Sequence, residues 1–538
     1  MMEKEQQIEY KWLPHLEDAV PPAGQGKRIS TYTVSLEGWR RGLQLKFYSI
    51  FEDGNKLKVR YSLGNEDRTH HFQLSMGDKV SEQAFDICDD KDLTKQYLEK
   101  HNVPAPKGDR FDLSATDEEI VAYGLSLGYP IVVKPTDGNA GKGVFANIKN
   151  EKDLRKAISH VRDVLEYPEI IVERYVSGEE FRIFVIEDKV LGAMNRRPAS
   201  VTGDGVQTIR QLIHEKNKFR RINPHLTSRL IRIDMEIENR LESKGYTLNA
   251  IPKEGELIYL RQKSNLSTGG DAVNVTDQLT PELEEIAINA GKAIPGLTHY
   301  GVDMIVSNDR KKGVILEVNT RPGIGGHLFP GEGEPIDFAK DIIDYYFPET
   351  KDIERSQLYY DFDSILEPIT ARTASNVDVI KPPEGKLYGK KYLITGDYNK
   401  RNFSRAIRRH ARYYDVHGHI KLIDDNTMEL IVVGTDETVL INFINISEEI
   451  IEEGETIENI EAFDWYKPVK MGFERILEEE LSQSDIRNIL IERDNLQREK
   501  EHILKKYNEI HQSRAWKATF PVRFILQRLK RRVKSTKK

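Results

Sequence analysis

The chain has 538 residues, a net charge of −7 and a single cysteine, with 38% hydrophobic and 31% charged residues. This length predicts several domains, and the lone Cys88 excludes an internal disulfide framework. The N-terminal segment lacks the apolar core of a secretory signal. No apolar run approaches the roughly 20 residues that span a bilayer, so we expect a cytoplasmic location.

Residues 1–85 alternate short apolar runs with turn signals. The segment SLEGWRRGLQLKFYSI predicts a helix leading into a strand, and KLKVRYSL and THHFQLSM predict strands around polar turns. We therefore expect a small α/β domain here, ahead of the largest block of the chain at 86–350.

A glycine-rich loop follows the predicted strand IVVKP, which ends just after Lys134. Glycines in the loop 137–143 let backbone N–H groups approach phosphate oxygens, and a lysine neutralises their charge. The spacing matches neither a Walker A loop nor a dinucleotide fingerprint. Two interpretations remain open on this motif alone, a phosphate-binding loop and an ordinary turn after a strand.

Acidic residues mark the ends of the next two predicted strands, in IIVERYVSGEEFRIFVI. Glu173 and Arg174 end one strand and Glu180 opens the other. Carboxylates at such positions can hydrogen-bond adenine and ribose, whereas the alternative is an exposed turn.

The segments GVDMIVS and GVILEVN predict a hairpin whose turn is centred on Arg310. In that register Asp303 faces Glu317 and Gly301 faces Asn319. Side chains two apart share a face, so the two carboxylates and the amide converge. The opposite, apolar face is predicted to pair Val302, Met304 and Val306 with Val318, Leu316 and Val314.

Two directly opposed carboxylates repel each other, so a cation has to compensate them. Oxygen ligands from two acids and an amide suit Mg²⁺, with Mn²⁺ as a second candidate. The alternative is a solvated pair bridged by Arg or Lys.

Six motifs resemble the ATP-grasp superfamily of carboxylate–amine ligases, in particular cyanophycin synthetase and the ligase domain of bifunctional glutathione synthetase. The resemblance runs from about Asp89 to Pro348, and the motifs follow in chain order: DDKDLTKQYLEKHNVPAP, VVKPTDGNAGKGV, VERYVSGEEFR, NRRPASVTGDGVQTIRQLI, YLRQKSNLSTGGDAVNVTD and ILEVNTRPGIGGH. The resemblance implies an ATP-grasp fold within a mixed α/β (α+β) chain.

The resemblance also implies residue roles. ATP would be bound by Lys91, Lys134, Asp137, Gly138, Gly141, Lys142, Gly143, Glu173, Arg174, Val176 and Glu180. Mg²⁺ would be held by Asp303, Glu317 and Asn319. Arg197, Arg261 and Arg321 would act in catalysis, and the loop residues Ser267, Thr268, Gly269 and Gly270 would face the acceptor substrate.

The implied reaction has two steps, in which a carboxylate attacks the γ-phosphorus of ATP and an amine then attacks the acyl-phosphate. The expected partners are a carboxylate substrate and an amine acceptor, each an amino acid, a peptide or a polymer-linked group. The sequence contains no counterpart of the glutamate–cysteine ligase module or of the Mur-ligase-like half of these families, so the resemblance does not identify the substrates. Relatives of this kind also imply a homo-oligomer.

Residues 386–447 resemble an acylphosphatase, which implies a ferredoxin-like sandwich. KKYLITG, GHIKLID and TMELIVVG predict strands, and RNFSRAIRRHARYY predicts a helix. Ser404 and Leu422 stand where acylphosphatases place their phosphate-binding arginine and their asparagine. A hydroxyl cannot supply the charged bidentate contact of arginine. We therefore expect an inactive domain, and an acylphosphatase-type hydrolase is the alternative.

The remaining segments are less specific. We expect a linker at 351–385, an acidic linker at 448–469, and a helix at 470–511 that forms either a coiled coil or a solvated helix. The tail 512–538 carries ten Lys or Arg and no acid, so the rest of the chain carries −7 − 10 = −17. A basic amphipathic tail predicts peripheral contact with an anionic membrane, with a solvated tail as the alternative. No nucleic-acid-reading motif accompanies it. A nucleotide-binding scaffold at the membrane is the remaining alternative to an enzyme.

Overall fold

The computed structural model describes residues 12–52, 56–136, 143–262, 264–443 and 456–476. It divides into two compact units, the first of which spans residues 1–420 and 426–474 and contains the domains and contacts discussed below. None of the helices in the described ranges is long and apolar enough to cross a membrane.

The N-terminal domain is built on a helix that is buried along its whole length. Its elements are α1 (Ile29–Arg40), β1 (Gln44–Glu52), β2 (Lys56–Gly64), β3 (Thr69–Gln73) and β4 (Met76–Gly77). Trp39 and Tyr32 of α1 are fully buried and pack in one core with Phe47 of β1 and Tyr61 of β2. The predicted helix leading into a strand and the two following strands are thus confirmed.

The next domain begins with a small lobe that holds a four-stranded sheet. Its elements are α2 (Glu82–Asp89), α3 (Lys91–Lys100), β5 (Gly108–Phe111), α4 (Asp117–Leu127), β6 (Ile131–Pro135), β7 (Phe145–Ile148), α5 (Glu151–Ser159) and β8 (Ile170–Arg174). The strands lie in the order β5-β8-β6-β7, and apolar residues of α4 and α5 pack against β6 and β8.

A large lobe follows, centred on an antiparallel five-stranded sheet in the order β13-β10-β9-β14-β15. Its elements are β9 (Glu179–Ile186), β10 (Lys189–Arg197), β11 (Ser200–Thr202), α6 (Ile209–Ile222), α7 (Met235–Glu242), β12 (Leu257–Tyr259), β13 (Asp271–Asn274), α8 (Pro281–Lys292), β14 (His299–Val306), β15 (Gly313–Asn319), α9 (Gly325–Leu328) and α10 (Phe338–Tyr346). Helix α8 covers one face of this sheet, and α6 and α7 form a separate core with β11 and β12.

The segment predicted as a linker at 351–385 is instead part of the N-terminal domain. It contains β16 (Leu358–Tyr359), α11 (Phe362–Thr370) and β17 (Asn376–Val379). Strand β17 pairs with β1, and the fully buried Phe362 packs 5.2 Å from Phe47 between ring centroids. The linker prediction is wrong because the apolar positions of α11 face this core.

The final described domain has the ferredoxin-like order βαββαβ. Its elements are β18 (Tyr388–Asp397), α12 (Lys400–Tyr413), β19 (His417–Leu422), β20 (Thr427–Gly434), α13 (Glu437–Asn442) and β21 (Thr456–Asp464). Two short strands follow in the chain, β22 (Val469–Lys470), which pairs with β16, and β23 (Phe473–Ile476). The sheet order β21-β18-β20-β19 agrees with the predicted ferredoxin-like sandwich. Kinship with acylphosphatases stays a prediction.

The strands β21, β22 and β23 correct two of the predicted segments, the acidic linker at 448–469 and the helix at 470–511. Strand β21 lies inside the range predicted as an acidic linker, and it pairs with β18 as an edge strand whose side chains are mostly exposed. The first residues of the predicted helix 470–511 lie in β22 and β23, and the rest of that helix and the tail 512–538 lie outside the described residues.

Truncating Phe362 should test whether residues 358–379 belong to the N-terminal core. We expect Phe362→Ala to destabilise the domain by about 3–5 kcal/mol, because it opens a cavity among buried aromatic rings. Urea denaturation monitored by tryptophan fluorescence measures this. Phe51→Ala, at a ring that is 57% exposed in the same domain, is the matched control and should cost much less. Equal effects would contradict the assignment.

Candidate active site

The small lobe brings together three of the residues that the motifs single out. Lys134 in β6 donates from Nζ to Oε1 of Glu173 in β8 at 2.6 Å, and both side chains are largely buried. Lys91, at the start of α3, donates to the carbonyl oxygen of Thr136 at 3.0 Å. All three line one small cavity, which Leu316 of β15 also lines. That cavity therefore joins the small lobe to the large sheet.

Only one end of the glycine-rich loop can be described. Asp137, Gly138, Gly141 and Lys142 lie outside the described residues. Gly143 has φ +75°, and a Cβ there would lie 3.1 Å from the ring of Pro135. Its position beside the end of β6 thus favours glycine for both conformation and space.

The residues after β8 are less enclosed. The side chain of Arg174 is exposed, while its backbone N–H donates to the carbonyl of Lys107 at 2.7 Å. Val176 is half-buried, and Glu180 is the second residue of the long strand β9. The structure therefore fixes the backbone of Arg174 but shows no described partner for its guanidinium.

The β14–β15 hairpin has the predicted register on its polar face. Asp303 pairs with Glu317 and Gly301 pairs with Asn319. Asn319 lies two residues after Glu317 on β15, and its buried Nδ2 atom has no hydrogen-bond partner among the described residues. The predicted register of the polar face is confirmed, and the convergence of the two carboxylates and the amide on a metal ion stays a prediction.

A β-bulge makes part of the apolar register wrong. Met304 pairs with Ile315 and Val306 with Gly313, rather than with Leu316 and Val314. One extra residue on β15 turns Leu316 away from the core and toward the cavity shared with Lys134 and Glu173. The bulge thus adds an apolar wall that periodicity alone did not reveal.

Two arginines neutralise the acidic face of the sheet. Arg182 of β9 donates from Nε and Nη2 to the two carboxylate oxygens of Asp303, at 2.7 and 2.8 Å. Arg196 of β10 reaches both Asp303, at 3.1 Å, and Glu180, at 2.9 Å. The sequence motifs did not identify these two arginines, although Arg182 lies two positions after Glu180 and Arg196 directly precedes Arg197.

Burial and charge act in opposite directions on these carboxyl groups. Burial would raise the pKa of Asp303, but the charges and hydrogen bonds of Arg182 and Arg196 outweigh it and hold that pKa below its ordinary value. For Glu180, burial dominates and raises the pKa despite Arg196. Asp303 is thus held as a carboxylate by its partners.

The donor set fits a hard divalent cation on the side of Glu317 and Asn319. Three of the roughly four acceptor positions of the Asp303 carboxylate are taken by arginine N–H groups. No hydrogen bond or ion pair of the described residues uses the Glu317 carboxylate. Carboxylate and amide oxygens are the ligands that Mg²⁺ prefers. The part of the chain that the structure describes contains no cluster of three or more His, Cys, Asp or Glu residues that could hold a metal.

Arg261 is buried beneath the loop predicted to face the acceptor. Its guanidinium pairs with Asp234 at 2.5 Å and with Glu236, and it donates to the carbonyl of Thr268 at 3.1 Å. The residues Leu266–Thr268 form a single 3-10 turn that is followed by Gly269, whose φ is +99°. Arg261 therefore holds the loop in shape, and its predicted contact with phosphate remains a prediction.

The end of the same loop is close to Arg197. A Cβ at Gly270 would lie 2.8 Å from the carbonyl oxygen of Arg197, so this backbone approach favours glycine. The guanidinium of Arg197 pairs with Glu332 at 2.7 Å. Arg321 lies 4.6 Å from the ring centroid of Phe85 and remains about one-third exposed.

Two cations from α6 fix the residue after the loop. Lys216 and the fully buried Arg220 bind the two oxygens of Asp271, at 2.5 and 2.7 Å. Sequence reasoning missed both, because their partner lies about fifty residues further along the chain. Basic residues recur along α6, and their spacing does not indicate that Arg220 is buried.

The comparisons with known proteins agree with this geometry. Residues 88–206 and 246–346 match the family model described as a RimK-like ATP-grasp domain, so the chain carries a domain of this kind. Cyanophycin synthetase of Trichormus variabilis is 37% identical over 304 residues, which cover 54% of this chain and 33% of that protein.

Another curated relative and a solved structure are also similar to part of the chain. The glutathione biosynthesis bifunctional protein GshAB of Clostridium perfringens is 33% identical over 329 residues, covering 59% of this chain and 41% of that protein. The crystal structure of a bifunctional glutathione synthetase from Pasteurella multocida covers 54% of this chain and 40% of its own, with 28% identity and a TM-score of 0.44. The chain thus spans less than half the length of these relatives.

Replacing Asp303 with asparagine should test the buried charge row. We expect Asp303→Asn to destabilise the protein by about 3–5 kcal/mol at neutral pH, because it removes the buried carboxylate to which both Arg182 and Arg196 donate. The folded-state pKa of Asp303 lies below the unfolded value of about 3.9. Its contribution is therefore fully present above that value and is lost as the pH falls through the lower, folded pKa.

Urea denaturation of the wild type and the variant at several pH values measures this difference. The difference in free energy of unfolding should stay constant from about pH 8 to pH 5 and shrink below about pH 3.9. Asp188→Asn, at a side chain that is 74% exposed, is the control. A difference that grows on acidification would contradict the assigned ion pair.

Proposed function

We propose that this protein is an ATP- and Mg²⁺-dependent carboxylate–amine ligase that forms an amide through an acyl-phosphate. The observation that carries the proposal is the row of Asp303, Glu317 and Asn319 on a sheet whose Leu316 lines the same cavity as Lys134 and Glu173. The ATP-grasp domain supports it, as does the similarity to a cyanophycin synthetase and to a glutathione biosynthesis protein.

The nucleotide would bind between the two lobes. In this proposal Lys91, Lys134 and the loop 137–143 neutralise the phosphates, while Glu173 and Val176 bind adenine and Glu180 binds ribose. The ammonium group of Lys134 has three donors, of which Glu173 uses one. Leu316 would provide an apolar contact for the base. Bound Mg²⁺, or Mn²⁺ in its place, would offset the negative charge that develops during phosphoryl transfer.

The chain's own cations would stabilise both transition states. Phosphoryl transfer and the attack of the amine each concentrate negative charge on oxygen, and preorganised donors lower such barriers. We assign this role to Arg197, Arg321 and, after a rearrangement of its present contacts, Arg261. The loop 267–270 would orient the amine, because Arg261, Lys216 and Arg220 fix it from below.

We further propose an acceptor attached to a cell-envelope polymer or its precursor. The support is the basic sequence of residues 512–538, where SRAWKATFPVR resembles C-terminal segments of bacterial envelope-polysaccharide glycosyltransferases. Peripheral contact of this tail with the inner face of the membrane belongs to the same proposal, as does a homo-oligomer. Co-sedimentation with anionic vesicles, before and after removal of 512–538, tests the membrane contact.

A hydrolase centred on the ferredoxin-like domain is the weaker candidate. Ser404, where an acylphosphatase would need its phosphate-binding arginine, is a buried residue of α12. Measuring the hydrolysis of a generic acyl-phosphate such as acetyl phosphate tests this alternative directly.

The substrates can be identified by ADP release. The purified protein is incubated with ATP and Mg²⁺ and a panel of amino acids, singly and in pairs, and products are analysed by mass spectrometry. Stimulation by one pair, together with a new amide mass, is the expected result. If single carboxylates alone release ADP without an amide product, the amine-transfer step would be contradicted.

Replacing Glu317 with glutamine should remove the principal free oxygen ligand of the proposed metal site. We expect Glu317→Gln to lower ATP turnover about 100-fold or more, because charge stabilisation at the phosphates is lost. The thermal unfolding temperature should change little, since no hydrogen bond of the described residues uses this carboxylate. Glu285→Gln, on the exposed side of α8, is the matched control. Retained turnover in Glu317→Gln would refute the metal assignment.

A further inference from the structure

A second cavity lies well apart in sequence from the nucleotide-binding motifs, between the N-terminal domain and the ferredoxin-like domain. Its volume is about 850 Å³, within the range of roughly 300–1,000 Å³ that small-molecule sites occupy. Its walls come from the residues around Arg40, from the segment 353–357, and from 382–387, with Tyr466 and Pro468 at one side. None of these residues belongs to the proposed ligase machinery.

The walls of this cavity are rich in cations. Arg40, Arg41, Arg355 and Lys386 line it, and the acids that line it, Glu354 and Glu384, are both exposed residues. Prolines and Tyr466 supply apolar surface. A concave surface with several guanidinium groups and apolar walls suits a small molecule that carries a phosphate or carboxylate group.

Two of the arginines already have carboxylate partners. Arg41 binds Glu37 at 2.5 Å and Asp344 at 2.6 Å, and Arg355 binds Glu37 at 2.8 Å and Asp337 at 2.7 Å. These ion pairs connect α1 to α10 and to the segment after it. They explain why Arg41 and Arg355 lie where they do without any ligand.

Arg40 differs from these neighbours. It is 2% exposed and donates from Nε to the carbonyl of Leu358 and from Nη1 to the carbonyl of His15, but it binds no carboxylate. Its Nη2 atom is buried and has no hydrogen-bond partner. A buried charge without a hydrogen-bonded counter-ion is costly, so a guanidinium in this state is suited to accept an anion.

The pKa shifts of two cavity-lining residues, His15 and Arg40, agree with burial next to positively charged side chains. Burial, followed by the charges of Arg355 and Arg40, lowers the pKa of His15 to about 3, so this cavity-lining imidazole is neutral at physiological pH. Burial also lowers the pKa of Arg40 itself. Glu37 and Asp337 only partly offset these effects.

We propose that this cavity is a binding site for a small anionic molecule, whose phosphate or carboxylate group is held by Arg40 and Lys386 and whose body lies against the prolines and Tyr466. Lys386 is exposed and belongs to the segment that leads into the ferredoxin-like domain, whereas Arg40 ends α1 of the N-terminal domain. The ligand would therefore bind residues of both domains. The site is independent of the proposed ligase reaction.

Titration calorimetry on the full chain tests the site, with sodium pyrophosphate and sodium citrate as probes and saturating ADP present to fill the nucleotide site. We expect one site for at least one probe. Lys386→Glu should weaken its binding about tenfold or more, because it reverses a charge at the anion. Lys381→Glu is the matched control, since Lys381 is exposed nearby but does not line the cavity. Binding of pyrophosphate alone would indicate a phosphate ligand, and binding of citrate alone a carboxylate ligand.

Arg40→Gln and Lys134→Gln complete the design. Arg40→Gln should abolish probe binding, and if that variant does not fold, Lys386→Glu decides by itself. Lys134→Gln alters the nucleotide site and should leave probe binding unchanged. Absence of binding at millimolar probe concentration, or binding that is lost in Lys134→Gln and kept in Lys386→Glu, would overturn the proposal.

Discussion

The pairing of Asp303 with Glu317 on neighbouring strands is the constraint around which the large lobe is arranged. Two carboxylates in register repel each other, and the sheet tolerates them because Arg182 stands opposite Asp303 on the other side. The three residues form one row across the sheet, with the positive Arg182 on β9 and the negative Asp303 and Glu317 on β14 and β15. Both arginines that donate to this row, Arg182 and Arg196, bind Asp303, and neither donates to Glu317, which is where the proposed divalent cation would bind.

The loop that would face the acceptor depends on residues from outside the matched ATP-grasp segments. Lys216, Arg220, Asp234 and Glu236 all lie between residues 206 and 246, which the family model omits. Together they hold Asp271 and Arg261 at the two ends of the loop. Substitutions between residues 206 and 246 can therefore alter the loop without changing the residues of the proposed nucleotide site.

Sequence patterns predicted the elements whose faces are clearly divided into buried and exposed. The β14–β15 hairpin was predicted because polar and apolar residues alternate along both strands. The bulge at Leu316 shifts the strand pairing in the folded sheet, and the alternation in the sequence does not reveal it. Strand β21 was missed because it is an exposed edge strand, held by backbone hydrogen bonds that leave little trace in side-chain pattern. In α11, the helical spacing of Phe362, Ile365, Leu366 and Ile369 was available, and Pro368 inside the helix obscured it.

Buried arginines in this protein fall into two states, and the difference bears on function. Arg182 and Arg220 each face a carboxylate at hydrogen-bonding distance, so their desolvation is offset within the fold. Arg40 is also buried but donates only to carbonyl oxygens, which stabilise a cation far less than a carboxylate does. Because Arg40 lines a large cavity and its Nη2 atom has no hydrogen-bond partner, an anion bound in that cavity could offset its desolvation. The same reasoning separates Glu317, whose carboxylate accepts no hydrogen bond from the described residues, from Asp303, whose oxygens are bound by two arginines.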